Sequence, residues 1–577
     1  MVAFYFDFPR PADHFIQITL EIDVSGRDQV VLKIPTWRPG RYQSDRFAKN
    51  IRDWQPADEN DQALQYSKPD PDTWVVETGR ASKLFVKYKY YAYKLDAGNS
   101  MLDDNLIYIN PLNCCLYDPG FMNHQIDLYM NIPAHFKCAT ALPSGGSNQF
   151  SAQGFDQLFE NPVIAAPDLQ HDQYRVHNKT FHVWFQGTVN PDWQKIQNDF
   201  TAFTEEQINM FGSLPVNDYH FFVLAPPYPL YHGVEHFTNT VITLGPGYKL
   251  MNHEDYQRLL GISSHELFHV WNVKTIRPAE WMPYDYSKES PSVLGYIAEG
   301  VTVYYGDKML LNSGVWNFDE YKERLDRVLT RHFNNYGRFF KSLSESSYET
   351  WLDGYEPGIP HRKVSIYIKG GVCALILDLL LRKDTNGRAS LDDVMIELYN
   401  NYGKKQRGIT QQDYKKIIEK IAGRSYDDYF NQYIDGTVPL EDPLNHALEL
   451  IGCKMVKKER ETFHESRLGM IMNGNKINNI APGSPAEESE LSPGDEIISV
   501  DGIKVGQDGK NLNDILLYLK DLQRYPLKFL ISRNHEIKTK ESTPSNNIFY
   551  ADYQIEKKTT ARSEQKEQFR LWAKASF

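Results

Sequence analysis

Residues 264–271 read Ser-His-Glu-Leu-Phe-His-Val-Trp, and an α-helix is the structure that gives this stretch a chemistry. A helix puts residues four apart on one face, so His265 and His269 can offer two imidazole nitrogens to one metal ion. Glu266 stands one step round the same turn, able to take a proton from a water held there without ligating the metal. The pattern constrains the fold as well, because a third protein ligand must come from another element packed alongside. Catalytic zinc often takes a carboxylate in that place. The downstream candidate is Glu299, in the helix-like apolar segment from Tyr296 to Tyr305. A single match to His-Glu-x-x-His arises by chance at a rate of roughly a few per cent in a chain this long. A lone pair of helical histidines is more often packed or solvated than metal-bound, so the rest of the chain has to decide.

A length of 577 residues exceeds one core and implies roughly three domains. The 36 Tyr and 30 Phe favour a chain rich in sheet. A net charge of -12 argues against a nucleic-acid or anionic-membrane partner. Cys114, Cys115, Cys138, Cys373 and Cys453 form neither a disulfide framework nor a Cys-x-x-Cys metal site. The N-terminus, Met1 to Asp7, lacks the basic and apolar regions of a signal peptide. The longest apolar run, Val372 to Leu377, meets Asp378 and is too short to span a bilayer. The expected location is cytoplasmic, or periplasmic if a leader has been removed.

Up to about Phe185 the chain alternates apolar and polar residues, as in Phe15 to Ile22 and Leu84 to Tyr93. Residues 1–187 are therefore expected to form an antiparallel β domain, a sandwich or a saddle-shaped sheet. Pro35-Thr36-Trp37-Arg38-Pro39-Gly40-Arg41-Tyr42 interrupts it as a rigid loop. Residues 188–447 change period. Strands at Tyr219 to Leu224 and Thr238 to Leu244, with Gly233-Val234-Glu235-His236 between them, lead to a helix from about His253 to Val273 and then a helical bundle. That is the order of a thermolysin-like, mainly helical catalytic domain. Tyr367 stands at the start of a strongly apolar helix, where a hydroxyl could donate to a developing oxyanion; composition alone favours a packing tyrosine. Residues 448–545 resemble a PDZ domain. Its marks are Leu468-Gly469-Met470, Ile480 to Ala486 and Leu491 to Gly502, with Asn513 to Asp521 as the helix flanking a peptide groove. That groove is expected to take a peptide or a protein C-terminus, with a closed or unused groove as the alternative. Residues 546–577 are expected to be a tail with one short helix that packs Phe569 and Trp572 onto the body.

Taken together, these segments resemble the glycyl aminopeptidase family, relatives of aminopeptidase N and thermolysin. The loop Pro35 to Tyr42, the extended motif from His265 to Pro278, the segment Glu299 to Tyr305, the segment Tyr367 to Gly370 and the C-terminal PDZ carry the resemblance. It implies zinc held by His265, His269 and Glu299, Glu266 as general base and Tyr367 as transition-state stabiliser. Gly233 to His236 sits where the aminopeptidase N relatives hold Gly-x-Met-Glu-Asn, whose glutamate receives the substrate's amine. The resemblance therefore implies Glu235 as amine anchor, with Val and His standing where those relatives have Met and Asn. The expected activity is a zinc aminopeptidase that removes glycine or another small residue from peptides. An endopeptidase using the same site, and a PDZ peptide-binding scaffold with a vestigial site, stay open as alternatives.

Overall fold

A computed structural model describes residues 1–355 and 358–577. The N-terminal segment is built on a seven-stranded sheet in which Val2–Asp7 pairs with Phe15–Asp23, and that strand with Lys83–Tyr91. Alternation gives each strand one buried face; Ile16, Ile18, Leu20 and Ile22 all point into the core. The expectation of an antiparallel domain needs one correction. Val2–Asp7 pairs parallel with Ile126–Met130 on its other side, a pairing that the long intervening chain permits. A three-stranded and a four-stranded sheet share the same core, through Leu32, Val76, Ile107 and Val163 among others.

The sheet that carries the site has five strands in the order Gln170–Val176, Lys179–Gly187, Asp218–Ala225, Asn239–Gly245 and Leu230–Glu235. It therefore crosses the boundary expected at residue 187. Alternation reports that a strand has one buried face, not which sheet it joins. Leu230–Glu235, expected as a connection, is the edge strand, paired among the described residues with Asn239–Gly245 alone. It follows a proline-rich turn, and its glycine and scarcity of β-branched residues hide it from a propensity reading.

The His-Glu-x-x-His helix spans His253–Phe268, shorter than the sequence suggests. His269 caps it with helical dihedrals, φ -60° and ψ -20°, so the four-residue spacing to His265 survives. The chain then turns through Val273, at φ 144°. Glu299 lies in a π-helical turn, Tyr296–Val301, that continues into the helix Thr302–Asn312. Tyr367 caps the helix Ile368–Asp384, buried on almost every side, as an apolar helix at the centre of a bundle should be. These two elements cross at Gly300 and Gly370, where a Cβ on either residue would overlap the other's backbone. The glycine pair is what lets the segment bearing Glu299 and the helix start bearing Tyr367 meet. No helix among the described residues is long and apolar enough to cross a membrane.

The PDZ segment has a sheet with Met470–Asn473 at its edge and the helix Leu512–Asp521 beside it. A short helix, Phe463–Ser466, packs against both, and the Phe463 amide donates to Asn513 Oδ1 at 2.7 Å. His361, on the loop leading to Tyr367, lies 2.8 Å from the Ile480 carbonyl and ties this segment to the catalytic body. The tail holds more than the expected helix. Ala551–Lys557 pairs with Cys453–Glu459, and then Ser563–Ala573 buries Phe569 and Trp572. The Trp572 indole donates to the Tyr304 hydroxyl at 3.0 Å.

Candidate active site

The three expected ligands come together. His265 Nε2 and His269 Nε2 face each other at 3.1 Å. Glu299 Oε2 lies 3.8 Å from the first and 3.6 Å from the second. Two atoms held about 2.0–2.1 Å from a tetrahedral ion are about 3.3 Å apart, so this donor set fits such an ion. Burial holds both imidazoles below their usual pKa, which favours the neutral form that could ligate a metal. The Nδ1 of His269 is 2.8 Å from the Asn272 carbonyl, which leaves Nε2 as the lone-pair nitrogen. The Asn272 side chain donates to the Ile297 carbonyl at 2.7 Å and to Thr302 Oγ1 at 3.0 Å. One residue thereby holds a histidine ligand with its main chain and braces the glutamate segment with its side chain.

Two further carboxyls close the pocket. Glu235, Glu266 and His269 also place ligand atoms within 4.8 Å of one another. The two sets share His269, and only the first turns both imidazoles toward one point. Glu266 is 5% exposed and Glu235 is 4% exposed, and each has a carboxylate oxygen with no protein partner among the described residues. Burial, then the neighbouring Glu235 and Glu299, push Glu266 well above the usual carboxylate range; Arg38 opposes this. Glu299 is raised in the same way, by burial first and Glu235 second. Three buried carboxyls beside two imidazoles concentrate negative charge that the protein leaves largely uncompensated, a setting that suits a divalent cation.

The edge strand lies over the helix. A Cβ at Gly233 would overlap the Glu266 carboxylate, so only glycine lets the strand approach this closely. Val234 points the other way, fully buried with Phe222 and Leu224. The His236 ring lies 3.8 Å from Glu160, which also receives the Lys274 ammonium at 2.6 Å and the Phe237 amide. The two residues that depart from the relatives' segment are thus a core residue and one held by the N-terminal segment.

Tyr367 lies beside Glu299. Its hydroxyl is 3.3 Å from that of Tyr355, and burial followed by Glu299 raises its pKa, so it remains a donor. Tyr42 comes into the site without warning from the sequence. Its buried hydroxyl donates to Glu299 Oε1 at 2.6 Å, which leaves Oε2 facing the two imidazoles. Gly40, two residues earlier and at φ 80°, lies directly over the Glu235 carboxylate. The loop Pro35 to Tyr42 is therefore a wall of the site. Nothing local marks Tyr42, and its partner is 257 residues away; two prolines stiffening an aromatic loop are the nearest thing to a signal.

Residues 3–167 match the profile of the peptidase M61 N-terminal domain, residues 258–373 that of the M61 glycyl aminopeptidase, and residues 476–521 that of a PDZ domain. No curated protein matches the chain in sequence. A crystal structure of an aminopeptidase N family protein from Idiomarina loihiensis is similar over 99% of this chain and 100% of that one, with 24% identity and a TM-score of 0.89. A crystal structure of an M1 zinc metallopeptidase from Deinococcus radiodurans covers 77% of this chain and 95% of its own, with 13% identity and a TM-score of 0.49. The chain thus carries, in order, segments matching the M61 N-terminal domain, the M61 glycyl aminopeptidase and a PDZ domain, and it is a metallopeptidase.

Proposed function

We propose that this chain is a zinc-dependent aminopeptidase that removes an N-terminal residue, glycine or another small one, from peptides. The observation that carries the reading is the buried Glu235 carboxylate, with its free oxygen, on the same edge strand that lies over Glu266. His265, His269 and Glu299 are the ligands. Zinc held by them would supply a Lewis acid that polarises the scissile carbonyl and lowers the pKa of the attacking water.

The protein's own groups do the rest. The substrate extends along Leu230–Glu235, whose outer edge has no strand partner, and its backbone pairs there. Glu235 receives the ammonium group and so places the first peptide bond opposite Glu266. Glu266 accepts a proton from the water at Oε2, its unpartnered oxygen, and passes it to the leaving amine. Tyr367 donates its hydroxyl proton in a hydrogen bond to the developing oxyanion. Tyr42 keeps the Glu299 carboxylate in one orientation.

Purified protein should carry about one zinc per chain, as a site of three protein ligands implies. Chelation should abolish peptide hydrolysis and added zinc restore it. His269→Ala should lose the metal, and undiminished zinc by elemental analysis would refute the ligand set. Tyr367→Phe should keep its zinc and lose about two to three powers of ten in kcat, with the Michaelis constant moving far less. An unchanged kcat would return Tyr367 to a packing role.

A further inference from the structure

Alternate residues of a strand share a face, and on the edge strand Tyr231, Gly233 and Glu235 all face the His-Glu-x-x-His helix. Gly233 meets Glu266, Glu235 clusters with Glu266 and His269, and the Tyr231 ring lies 5.1 Å from the Arg258 guanidinium of that helix. If the peptide amine sits at Glu235, the chain runs past Gly233 toward Tyr231. At about 3.3 Å per residue Tyr231 is about 13 Å from Glu235, the reach of an extended tetrapeptide from its amine to the carboxyl end of its fourth residue.

At that point the wall changes sign. A cavity of about 710 Å3 opens there, lined by Tyr231, by Arg258, and by Arg324, Arg327 and Arg331 of the helix Phe318–Phe333. Three of the four arginines are already paired: Arg258 with Asp255 at 3.0 Å, Arg324 with Asp307 at 3.3 Å, and Arg327 with Glu323. Of the cavity's carboxylates, Glu323 is held by Arg327, Glu320 caps its own helix, and Glu254 is exposed. Arg331 has no carboxylate within ion-pair distance among the described residues. It borders this cavity and also a second one of about 780 Å3, which contains Tyr355, Tyr367 and, from the PDZ segment, Ile471 and Asn478. Arg331 is itself exposed at the mouth of both cavities, and partial burial followed by the neighbouring Arg324 holds its guanidinium below its usual value.

We propose that Arg331 is a specificity-determining residue that receives a substrate carboxylate two or three residues beyond the scissile bond, an inference that rests on the amine-anchor reading of Glu235. That carboxylate is either the C-terminal one of a tri- or tetrapeptide or an acidic side chain at the same position in a longer peptide. Guanidinium and carboxylate match as a two-pronged hydrogen-bonded pair, which a lysine cannot reproduce.

The test compares kcat/KM for three peptides within each enzyme form: glycyl-trialanine as the free acid, the same peptide as its C-terminal amide, and an amidated hexapeptide with glutamate at the fourth position. Ratios within one enzyme form cancel any loss of folded protein. Wild type should favour the free acid or the glutamate peptide over the plain amide by about ten- to a hundred-fold, mostly in KM. Whichever is favoured identifies the source of the carboxylate. In Arg331→Ala the ratio should fall to near one, and Arg331→Lys should restore only part of it. A ratio near one in wild type, or a preference unchanged in Arg331→Ala, overturns the assignment. N-acetylated versions of the peptides separate the two readings. Acetylated peptides cleaved with the same dependence on Arg331 would remove the amine anchor and keep the carboxylate pocket.

Discussion

In Glu266→Gln the metal content should stay at the wild-type level while kcat falls by about two to four powers of ten. The substitution keeps the shape of the side chain and removes only its capacity to take a proton. Glu266 contributes neither of the imidazoles nor the Glu299 oxygen that converge on one point, so the ion keeps its ligands. The new amide does not lack acceptors, because Glu235 and Glu299 lie beside it. A buried carboxyl is also removed from a group of three, which relieves like-charge repulsion when the metal is absent. The metal-free variant should therefore melt no lower than metal-free wild type. Elemental analysis with single-turnover kinetics makes the check, and near wild-type turnover at full occupancy would defeat the role given to Glu266.

The parts of the site that could be read in the sequence are those whose geometry is local. His265 and His269 need only a helix, and the turn from Glu266 to His269 supplies it. Glu299 was legible because an apolar helical pattern carries a single carboxylate. What the pattern could not show was the π-helical turn beneath it, or the crossing of Gly300 and Gly370 that sets Glu299 against Tyr367. Tyr42 was out of reach for a different reason. Its function is created by long-range packing, and its own surroundings look like any stiff loop. The edge strand Leu230–Glu235 was missed because an edge is defined by what does not pair with it. Arg331 lies on a helix whose polar face reads as ordinary solvated surface, and only the cavity beside it distinguishes it from its neighbours.

The membership of the larger elements follows the same logic. Gln170–Val176 and Lys179–Gly187 pair with each other at the end of the alternating stretch, yet the next partner of Lys179–Gly187 lies at residues 218–225, beyond a helix. Periodicity carries no information about that partner. The tail strand Ala551–Lys557 is a similar case, since its register is set by Cys453–Glu459, about one hundred residues earlier.

Blocking the amine of a good substrate should abolish its cleavage, and Glu235→Ala should raise the Michaelis constant for free-amine peptides by about ten- to a hundred-fold while leaving the metal in place. The side chain is almost fully removed from water, one of its oxygens has no protein partner, and Gly40 roofs the pocket from the N-terminal loop. A carboxylate in that setting favours an ammonium partner strongly, and an acetyl group would leave it buried and unpaired. The departures at Val234 and His236 do not weaken this. Val234 packs on the opposite face of the strand, and the His236 ring is taken by Glu160. Neither change alters the direction in which Glu235 points, which the strand's alternation and its pairing with Thr240 determine. Product masses from free and acetylated versions of one peptide decide the matter. Internal cleavage of the acetylated form at a comparable rate would remove the aminopeptidase reading and leave a metal-dependent endopeptidase, because the ligands and Glu266 do not depend on which end of the peptide is recognised.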